Sequence, residues 1–360
     1  MTWTLYGANG YTGRLIVAEA VARGHRPVLA GRNAAALRAM GAQYGLPVRA
    51  FALDDANVVR QAFKGQDLVL HCAGPFSATS APVLDACLAT KAHYLDITGE
   101  IDVFAAAHAR DAEAKAAGIV VLPGAGFDVV PTDCLAARLK QALPEAVELV
   151  LAFEAGGGPS PGTAKTGVEG LGQGGRARID GELRRVPLAW KTRKFDRAPT
   201  GQPPDLRLAM TIPWGDLYTA YVSTGIPNIE TYLGVSPGTV SRLRMLRKLG
   251  PLLGLRPVQS FLKSRVTASV PGPTAEQRAR SQTTVWGEVR DAAGRTRSER
   301  LRTPNGYDLT VTASLGIVER LLRGERPAGG FATPSQLMGP DYVLGLPGVS
   351  LEPVVAAVAS

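Results

Sequence analysis

The chain has 360 residues, of which 45 % are hydrophobic and 20 % are charged. This composition is that of a folded globular protein and excludes an intrinsically disordered chain. No run of apolar residues is long enough for a membrane-spanning helix, the three cysteines are too few for a disulfide framework, and the first residues lack the pattern of a signal peptide. We therefore expect a cytoplasmic protein.

The net charge of +9 is concentrated in the second half of the chain. Residues 1–150 contain 13 Lys and Arg against 14 Asp and Glu, whereas residues 151–360 contain 27 against 17. Such an excess of positive charge indicates an acidic partner or surface for the second half, and it says little about the fold.

The first residues have the order strand, glycine-rich turn, helix. An apolar strand at 3–6 leads into the G-x-x-G-x-x-G turn of residues 7–13, and residues 14–23 have the pattern of a buried helix. In this context the glycines predict a dinucleotide-binding turn, because they permit a tight bend and close approach of the backbone to a pyrophosphate. The N–H groups at the helix start then face the phosphates.

The end of the second strand indicates which dinucleotide is bound. An NAD-selective site carries an acid at this point, which binds the ribose 2′-hydroxyl. This sequence instead has Arg32 followed by Asn33, and a guanidinium can bind a 2′-phosphate through two hydrogen bonds. We therefore predict NADP(H) as the cofactor.

Six strands alternate with helices in the first half, and two of these helices are predicted at 80–90 and 102–117. This order predicts a parallel, doubly wound Rossmann sheet, in which ligands bind beyond the carboxyl ends of the strands. The predicted cofactor contacts at those ends are Gly7, Asn9, Gly10, Tyr11, Thr12, Gly13, Arg32, Asn33, Asp54, Ala73, Gly74, Pro75 and Phe76.

Acids at or near strand ends are the candidates for a proton donor: Asp96, Glu100, Asp128 and Asp133. A carboxyl group buried among apolar neighbours has a raised pKa and can donate a proton near neutral pH. The structural alternative is that Glu100 caps helix 102–117 and that Asp133 caps a helix at 134–143. The four histidines do not pair at ligand spacing, so no metal site is predicted.

The second half predicts an α+β domain built on a mainly antiparallel sheet. Residues 283–290 and 299–303 have the pattern of a hairpin, and residues 307–323 form a final helix with apolar residues at helical spacing. The predicted domains are a Rossmann domain at 1–133 and a substrate and dimerisation domain at 134–304, with 305–360 packed back on the first.

Residues 231–275 contain seven cations and no acid, interleaved with apolar residues. A stretch of this kind can bind an anionic membrane surface or cover a lipid-like substrate; the alternative is a helix packed on the domain with a solvated basic face. We expect a small-molecule or lipid-like substrate, a peripheral lipid contact through 242–265, and a homodimer as an open alternative to a monomer. No nucleic-acid-binding motif is present, so nucleic acid is not an expected partner.

Several short segments carry a family resemblance. They are Tyr6–Gly13, Gly31–Asn33, Ala73–Phe76, Tyr94–Glu100, Gly126–Asp133, Asn305–Thr310 and Gly329–Pro334. These segments resemble motifs of the saccharopine dehydrogenase-like oxidoreductase family, including its trans-acting enoyl reductase branch. The resemblance implies an NADP-type Rossmann domain, a second α/β domain that bears the substrate, and reduction of an unsaturated or imine-like bond.

The predicted function combines this resemblance with the apolar and basic segment. We expect an NADPH-dependent oxidoreductase that reduces a C=C bond of an apolar enoyl or lipid-linked substrate by hydride transfer. One alternative is a saccharopine- or polyamine-type imine reductase. The other is a non-catalytic NADPH-binding protein that acts as a sensor or a lipid-surface scaffold.

Overall fold

The computed structural model describes residues 2–154, 156, 158, 160, 167–168, 170, 174–198, 201–247, 255–269, 272–324 and 328–353. Contacts divide the chain into two compact units, Met1–Val130 with Tyr307–Met338, and Pro131–Gly306 with Gly339–Ser360. The sequence predicts a boundary at residue 133 and places all of 305–360 with the first domain. In the structure, residues 307–338 belong to the first unit and residues from 339 onward belong to the second.

The first unit contains a parallel sheet of seven strands, with the order β15-β6-β5-β4-β1-β2-β3. The strands are β1 Trp3–Tyr6, β2 Val28–Gly31, β3 Val48–Ala50, β4 Leu68–His71, β5 His93–Asp96, β6 Val120–Leu122 and β15 Gly330–Phe331. Every neighbouring pair is parallel, which confirms the predicted doubly wound sheet. The seventh strand comes from the C-terminal part of the chain and is too short to carry a sequence signal.

The helices of the first unit are α1 Tyr11–Ala22, α2 Ala34–Tyr44, α3 Ala56–Phe63, α4 Phe76–Thr90, α5 Ile101–His108, α6 Asp111–Ala117, α12 Gly306–Leu322 and α13 Pro334–Met338. Two predictions need correction. Helix 80–90 begins four residues earlier, at Phe76, and helix 102–117 is two helices separated at Ala109 and Arg110. Buried side chains such as Phe63, Val83 and Tyr94 form a core between the sheet and the helices.

The second unit is built on a mixed sheet with the order β10-β11-β12-β7-β13-β14-β16, and β8 joins it through β12 and also pairs with β9. The strands are β7 Ala146–Glu154, β8 Gly175–Ile179, β9 Glu182–Val186, β10 Thr192–Asp196, β11 Leu206–Thr211, β12 Asn228–Gly234, β13 Gln282–Asp291, β14 Thr296–Pro304 and β16 Ser350–Pro353. Among the described strands of this second sheet, only β12 and β7 pair in parallel, so the mainly antiparallel α+β prediction is confirmed.

The helices of the second unit are α7 Val130–Ala142, α8 Asp216–Thr224, α9 Pro237–Leu246, α10 Arg256–Ser269 and α11 Ala275–Arg280. Helix α7 packs tightly on β13, because a Cβ at Gly287 would lie 2.7 Å from Cδ1 of Leu139 and 3.0 Å from Cδ2 of Leu135. Within the described part of the chain, no helix is long and apolar enough to cross a bilayer.

Candidate functional site

The turn between β1 and α1 exposes main-chain groups to a ligand, because there is no room for side chains at its glycines. Gly7 has a φ of +89°, and a Cβ there would lie 2.8 Å from backbone atoms of Cys72 and Ala73, which follow β4. A Cβ at Gly13 would overlap the carbonyl oxygen of Gly7. A ligand that approaches this turn therefore meets main-chain groups.

The N-terminus of α1 has no side-chain cap. Its N-cap residue is Gly10, and the first turn contains no acid. By contrast, the side chains of Asn33, Asp55 and Ser236 cap α2, α3 and α9. The first N–H groups of a helix have no intrahelical acceptor, and together with the helix dipole they favour an anion. The uncapped start of α1 therefore fits the pyrophosphate of a dinucleotide.

The other predicted contacts of the turn lie beside it. The Oδ1 atom of Asn9 is 3.2 Å from the position that a Cβ of Gly31 would take, so Asn9 lies between the first and second turns. Tyr11 and Thr12 are half-buried at the start of α1. The Tyr11 ring contacts the Tyr307 ring edge to face, with 4.9 Å between centroids.

Arg32 and Asp54 both lie near the phenol group of Tyr6. Burial raises the pKa of Tyr6, the positive charge of Arg32 opposes this rise, and the negative charge of Asp54 adds to it. Arg32 is exposed and has no ion-pair partner among the described residues. The side chain of Asn33 accepts a hydrogen bond from Ala36 N at 3.0 Å and caps α2, so its side-chain oxygen has a structural partner.

The loop Ala73–Phe76 follows β4 and is held by Thr79. The Thr79 hydroxyl lies 2.7 Å from the carbonyl oxygen of Ala73 and 3.0 Å from that of Pro75, and 2.9 Å from Nε2 of His71. His71 is completely buried, and burial lowers its pKa to about 3. A histidine that stays neutral at physiological pH fixes the loop and does not supply protons.

Glu100 caps a helix other than the predicted one. Its carboxylate accepts hydrogen bonds from the backbone N–H groups of Phe76 at 2.9 Å and Ser77 at 2.7 Å, at the start of α4. Glu100 is also the N-cap residue of α5, but its side chain makes no capping hydrogen bond there. The prediction that Glu100 caps helix 102–117 is therefore wrong, because its side chain extends to the neighbouring loop.

Asp128 lies against the loop that carries Glu100. A Cβ at Gly99 would lie 2.9 Å from Oδ2 of Asp128, so the carboxyl group rests on the Gly99 backbone. Burial and the negative charge of Glu100 raise the pKa of Asp128 to about 7. The residue as a whole retains partial exposure to solvent. Such a group is protonated in about half of the molecules at pH 7 and can therefore both donate and accept a proton there.

Asp96 holds these two loops together. Its carboxylate accepts hydrogen bonds from the Tyr94 hydroxyl at 2.6 Å and from the N–H groups of Thr98 and Gly124, both at 2.9 Å. Burial raises its pKa to about 6 in spite of these three donors. Its position at the end of β5 marks it in the sequence as one of several acids, but the sequence does not show that it connects two loops.

Asp133 belongs to the second unit and does not cap a helix at 134–143. Helix α7 begins at Val130, so Asp133 lies in its first turn, where it accepts a hydrogen bond from the Ser223 hydroxyl of α8. The structure thus brings Glu100 and Asp128 together and gives Asp133 a partner within the second unit. Among the described residues, no group of three or more His, Cys, Asp and Glu could hold a metal ion.

Residues 3–122 match the sequence model of the family described as saccharopine dehydrogenase NADP binding domain. The chain is 29 % identical over 172 residues to a probable mitochondrial saccharopine dehydrogenase-like oxidoreductase of Arabidopsis thaliana, covering 42 % of this chain and 38 % of the relative. It is 33 % identical over 139 residues to a trans-acting enoyl reductase of Mycobacterium leprae, covering 36 % and 33 %. The matches thus span little more than a third of these relatives.

Solved structures show the same fold at low identity. Saccharopine dehydrogenase (L-Glu forming) from Saccharomyces cerevisiae has a TM-score of 0.66 at 11 % identity, covering 98 % of this chain and 100 % of that one. Homospermidine synthase from Legionella pneumophila, in complex with NAD, has a TM-score of 0.61 at 10 % identity, covering 97 % and 91 %. These similarities show the fold, whereas the matched NADP-binding domain and the two relatives confirm the resemblance indicated by the motifs, and the matched domain confirms the predicted NADP(H) cofactor. Residues 3–122 are therefore an NADP-binding domain of the saccharopine dehydrogenase type.

Proposed function

We propose that this chain is an NADPH-dependent reductase that saturates a C=C bond of an apolar enoyl or lipid-linked substrate. The observation that carries the proposal is Asp128, a partly exposed acid with a pKa of about 7 at the carboxyl edge of the nucleotide-binding sheet. Reduced nicotinamide supplies a hydride, and reduction of a C=C bond also requires a proton for the second carbon. Asp128 is protonated in about half of the molecules at pH 7, and this fraction can supply such a proton.

The other residues have distinct roles in this proposal. The uncapped start of α1 binds the pyrophosphate, and Arg32 binds the 2′-phosphate. Glu100 fixes the loop Ala73–Phe76 through the start of α4, and its negative charge keeps Asp128 protonated. In this reaction the Asp128 carboxyl group would donate its proton to the carbon next to the one that receives the hydride.

The loops near Asp128 favour an uncharged electrophile. Residues 7–13, 73–77, 96–100 and 123–128 contain no Lys or Arg. An imine reductase of the saccharopine or polyamine type acts on a charged substrate, and a substrate carboxylate would require cations that these loops do not contain. The similarity to an enoyl reductase supports the same choice.

The test is to follow NADPH oxidation with a panel of enoyl thioesters and a second panel of imine substrates. We expect turnover of enoyl thioesters, and a loss of turnover of about a hundredfold or more in Asp128→Asn. Calorimetry should show unchanged NADPH binding in this variant. Turnover of imines alone would support the imine reductase, and tight NADPH binding without turnover of any substrate would support the non-catalytic alternative.

A peripheral lipid contact is the second part of the proposal. Met245, Leu255 and Phe261 are 67 %, 50 % and 62 % exposed, and they lie in the acid-free stretch of residues 231–275. Exposed apolar side chains among cations fit an anionic lipid surface. Residues 248–254 of the predicted contact lie outside the described residues.

Two arginines of this stretch have a structural role. Arg244 and Arg247 donate hydrogen bonds to the carbonyl oxygens of Leu188 and Ala189, and thereby tie α9 to that turn. The exposed Arg242 is therefore the better position for a change of charge.

Sedimentation with phosphatidylserine vesicles tests the contact. We expect binding to these vesicles and little binding to phosphatidylcholine vesicles. Arg242→Glu and Phe261→Ser should weaken the binding, whereas Leu206→Ser, at a 57 % exposed position of β11, should not. Equal binding by all these proteins would contradict a contact through this segment and support the packed helix with a solvated basic face.

A further inference from the structure

The start of α12 contacts two loops of the first unit. Tyr307 packs against Tyr11 at the start of α1, with ring centroids 4.9 Å apart and an interplanar angle of 74°. One turn further on, Oγ1 of Thr310 accepts a hydrogen bond from the N–H of Phe127 at 2.9 Å. Phe127 directly precedes Asp128, so α12 reaches both the predicted phosphate turn and the loop that carries the acid.

Thr310 contacts this loop through both its hydroxyl oxygen and its methyl group. Its hydroxyl oxygen accepts from Phe127, and its methyl group faces Gly126, where a Cβ would lie 2.8 Å from Cγ2 of Thr310. Thr310 is 8 % exposed. A side chain enclosed in this way can neither rotate freely nor be replaced by water.

The loop is also held at its start by Asp96, whose carboxylate accepts a hydrogen bond from the N–H of Gly124 and whose carbonyl oxygen accepts one from the N–H of Ala125. The carbonyl oxygen of Gly126 accepts from the N–H groups of Val129 and Val130 at 3.2 and 2.9 Å, which closes the turn around Asp128. On the other side, the Asp128 carboxyl group rests on Gly99, next to the charged Glu100. Because Phe127 directly precedes Asp128, a shift of the Phe127 peptide also moves the Asp128 carboxyl group relative to Glu100.

We infer that Thr310 is a positioning residue for Asp128, acting through the N–H of Phe127. The threonine lies more than 180 residues from the loop in the sequence and touches it through one hydrogen bond and one methyl contact. A misplacement of about 1 Å at a catalytic group can lower a rate about a hundredfold. The effect on the geometry of Asp128 follows from these contacts alone, whereas the effect on catalysis rests on the proposed function.

The matched pair Thr310→Val and Thr310→Ser separates the hydrogen bond from the packing. Valine keeps the shape and loses the acceptor, and serine keeps the acceptor and loses the methyl group. We expect the ¹³C signal of the Asp128 carboxyl group to titrate in Thr310→Val at least about half a pH unit below its midpoint in the unchanged protein, because a loosened loop admits water. Thr310→Ser should keep the original midpoint, and Asp128→Asn identifies the signal.

Kinetics provide the second measurement. We expect Thr310→Val to lower kcat about tenfold or more, with NADPH affinity unchanged, and Thr310→Ser to retain most of kcat. If Thr310→Val does not fold, Thr310→Ala takes its place in the same comparison with serine.

The two proposals can fail separately. The titration needs no substrate, so an absence of NADPH oxidation by the unchanged protein would contradict the proposed function and leave the titration as the test of Thr310. The positioning role would be overturned if the Asp128 carboxyl group titrated with the same midpoint in the unchanged protein, in the valine or alanine variant and in the serine variant.

Discussion

Arg32 has no acidic partner among the described residues, unlike the arginines of the chain that form ion pairs, such as Arg23, Arg110 and Arg138. It is exposed at the end of β2, and its charge acts on the Tyr6 phenol together with that of Asp54. Its guanidinium is thus free to bind a phosphate with its full set of donors. Of Arg32, Tyr6 and Asp54, only Asp54 carries a negative charge that would repel the extra phosphate of NADP. Asp54 lies beyond the end of β3.

The first prediction concerns this guanidinium. We expect Arg32→Ala to raise the KM for NADPH about ten- to a hundredfold, because a charge-assisted pair of hydrogen bonds to the 2′-phosphate is lost. The KM for NADH should change little, since NADH has no 2′-phosphate. Initial-rate kinetics with both cofactors measure the difference.

The control is Arg60→Ala, which removes an exposed arginine from α3. It should leave both KM values unchanged. A similar rise of KM for NADPH and NADH in Arg32→Ala would contradict the assignment of Arg32 to the 2′-phosphate.

Asp96 and Asp128 of the first unit show how position decides the role of a carboxyl group. Burial raises the pKa of Asp96 to about 6, and the three hydrogen bonds that it accepts limit this rise because they favour its ionised form. Asp128 faces the negative charge of Glu100, and its pKa is about 7. The same residue type therefore connects two loops in one place and holds a proton in the other.

At the scale of elements, the start of α4 depends on a side chain from a different loop. The N-cap residue of α4 is Pro75, which has no side-chain acceptor, and Glu100 supplies both acceptors for Phe76 and Ser77. A carboxylate at this position also interacts favourably with the helix dipole. Glu100 thus joins the loops that follow β4 and β5.

The second prediction removes this cap. We expect Glu100→Ala to lower the free energy of unfolding by about 1–2 kcal/mol, because two N–H groups at the start of α4 lose their acceptor. The pKa of Asp128 should fall at the same time, because a neighbouring negative charge is removed. Urea denaturation measures the first effect, and the ¹³C titration of Asp128 measures the second.

The control is Glu113→Ala, which removes an exposed glutamate that pairs with Arg110 on α6. Because this ion pair is exposed, the change should leave both the free energy of unfolding and the titration of Asp128 close to those of the unchanged protein. An Asp128 titration that is unchanged in Glu100→Ala would contradict the electrostatic coupling of the two acids.

The sequence predicted the strands of the first unit well, and it predicted helix ends and side-chain partners less well. Strand ends are visible because apolar runs stop at Gly, Pro and acidic residues, as at Asp96 and Gly74. Helix α4 begins at Phe76 instead of residue 80, since the acceptor that permits the earlier start comes from Glu100, 24 residues away. Likewise, the contact of Thr310 with Phe127 spans 183 residues and has no local sequence signal.

For the whole molecule, the raised pKa values determine how stability changes with pH. Asp96 and Asp128 have pKa values of about 6 and 7 in the folded chain, against 3.8 for an ordinary aspartate. Between pH 4 and 7 the folded state therefore binds more protons at these groups than the unfolded state does. Their contribution to stability is greatest below pH 4, falls as the pH rises to 7, and is constant above it.

The third prediction uses Asp128→Asn in the absence of cofactor, since asparagine keeps the shape and cannot ionise. We expect the difference in free energy of unfolding, variant minus unchanged protein, to increase from pH 5 to pH 8. The increase should be on the order of 2 kcal/mol after allowance for the partial exposure of Asp128. Comparing the two pH values cancels any hydrogen bond that the amide gains or loses, because that contribution does not depend on pH. The exposed Asp54→Asn is the control and should show no such gain. If Asp128→Asn and the unchanged protein lose stability equally from pH 5 to pH 8, Asp128 is ionised throughout this range, and it cannot be the group that holds the proton.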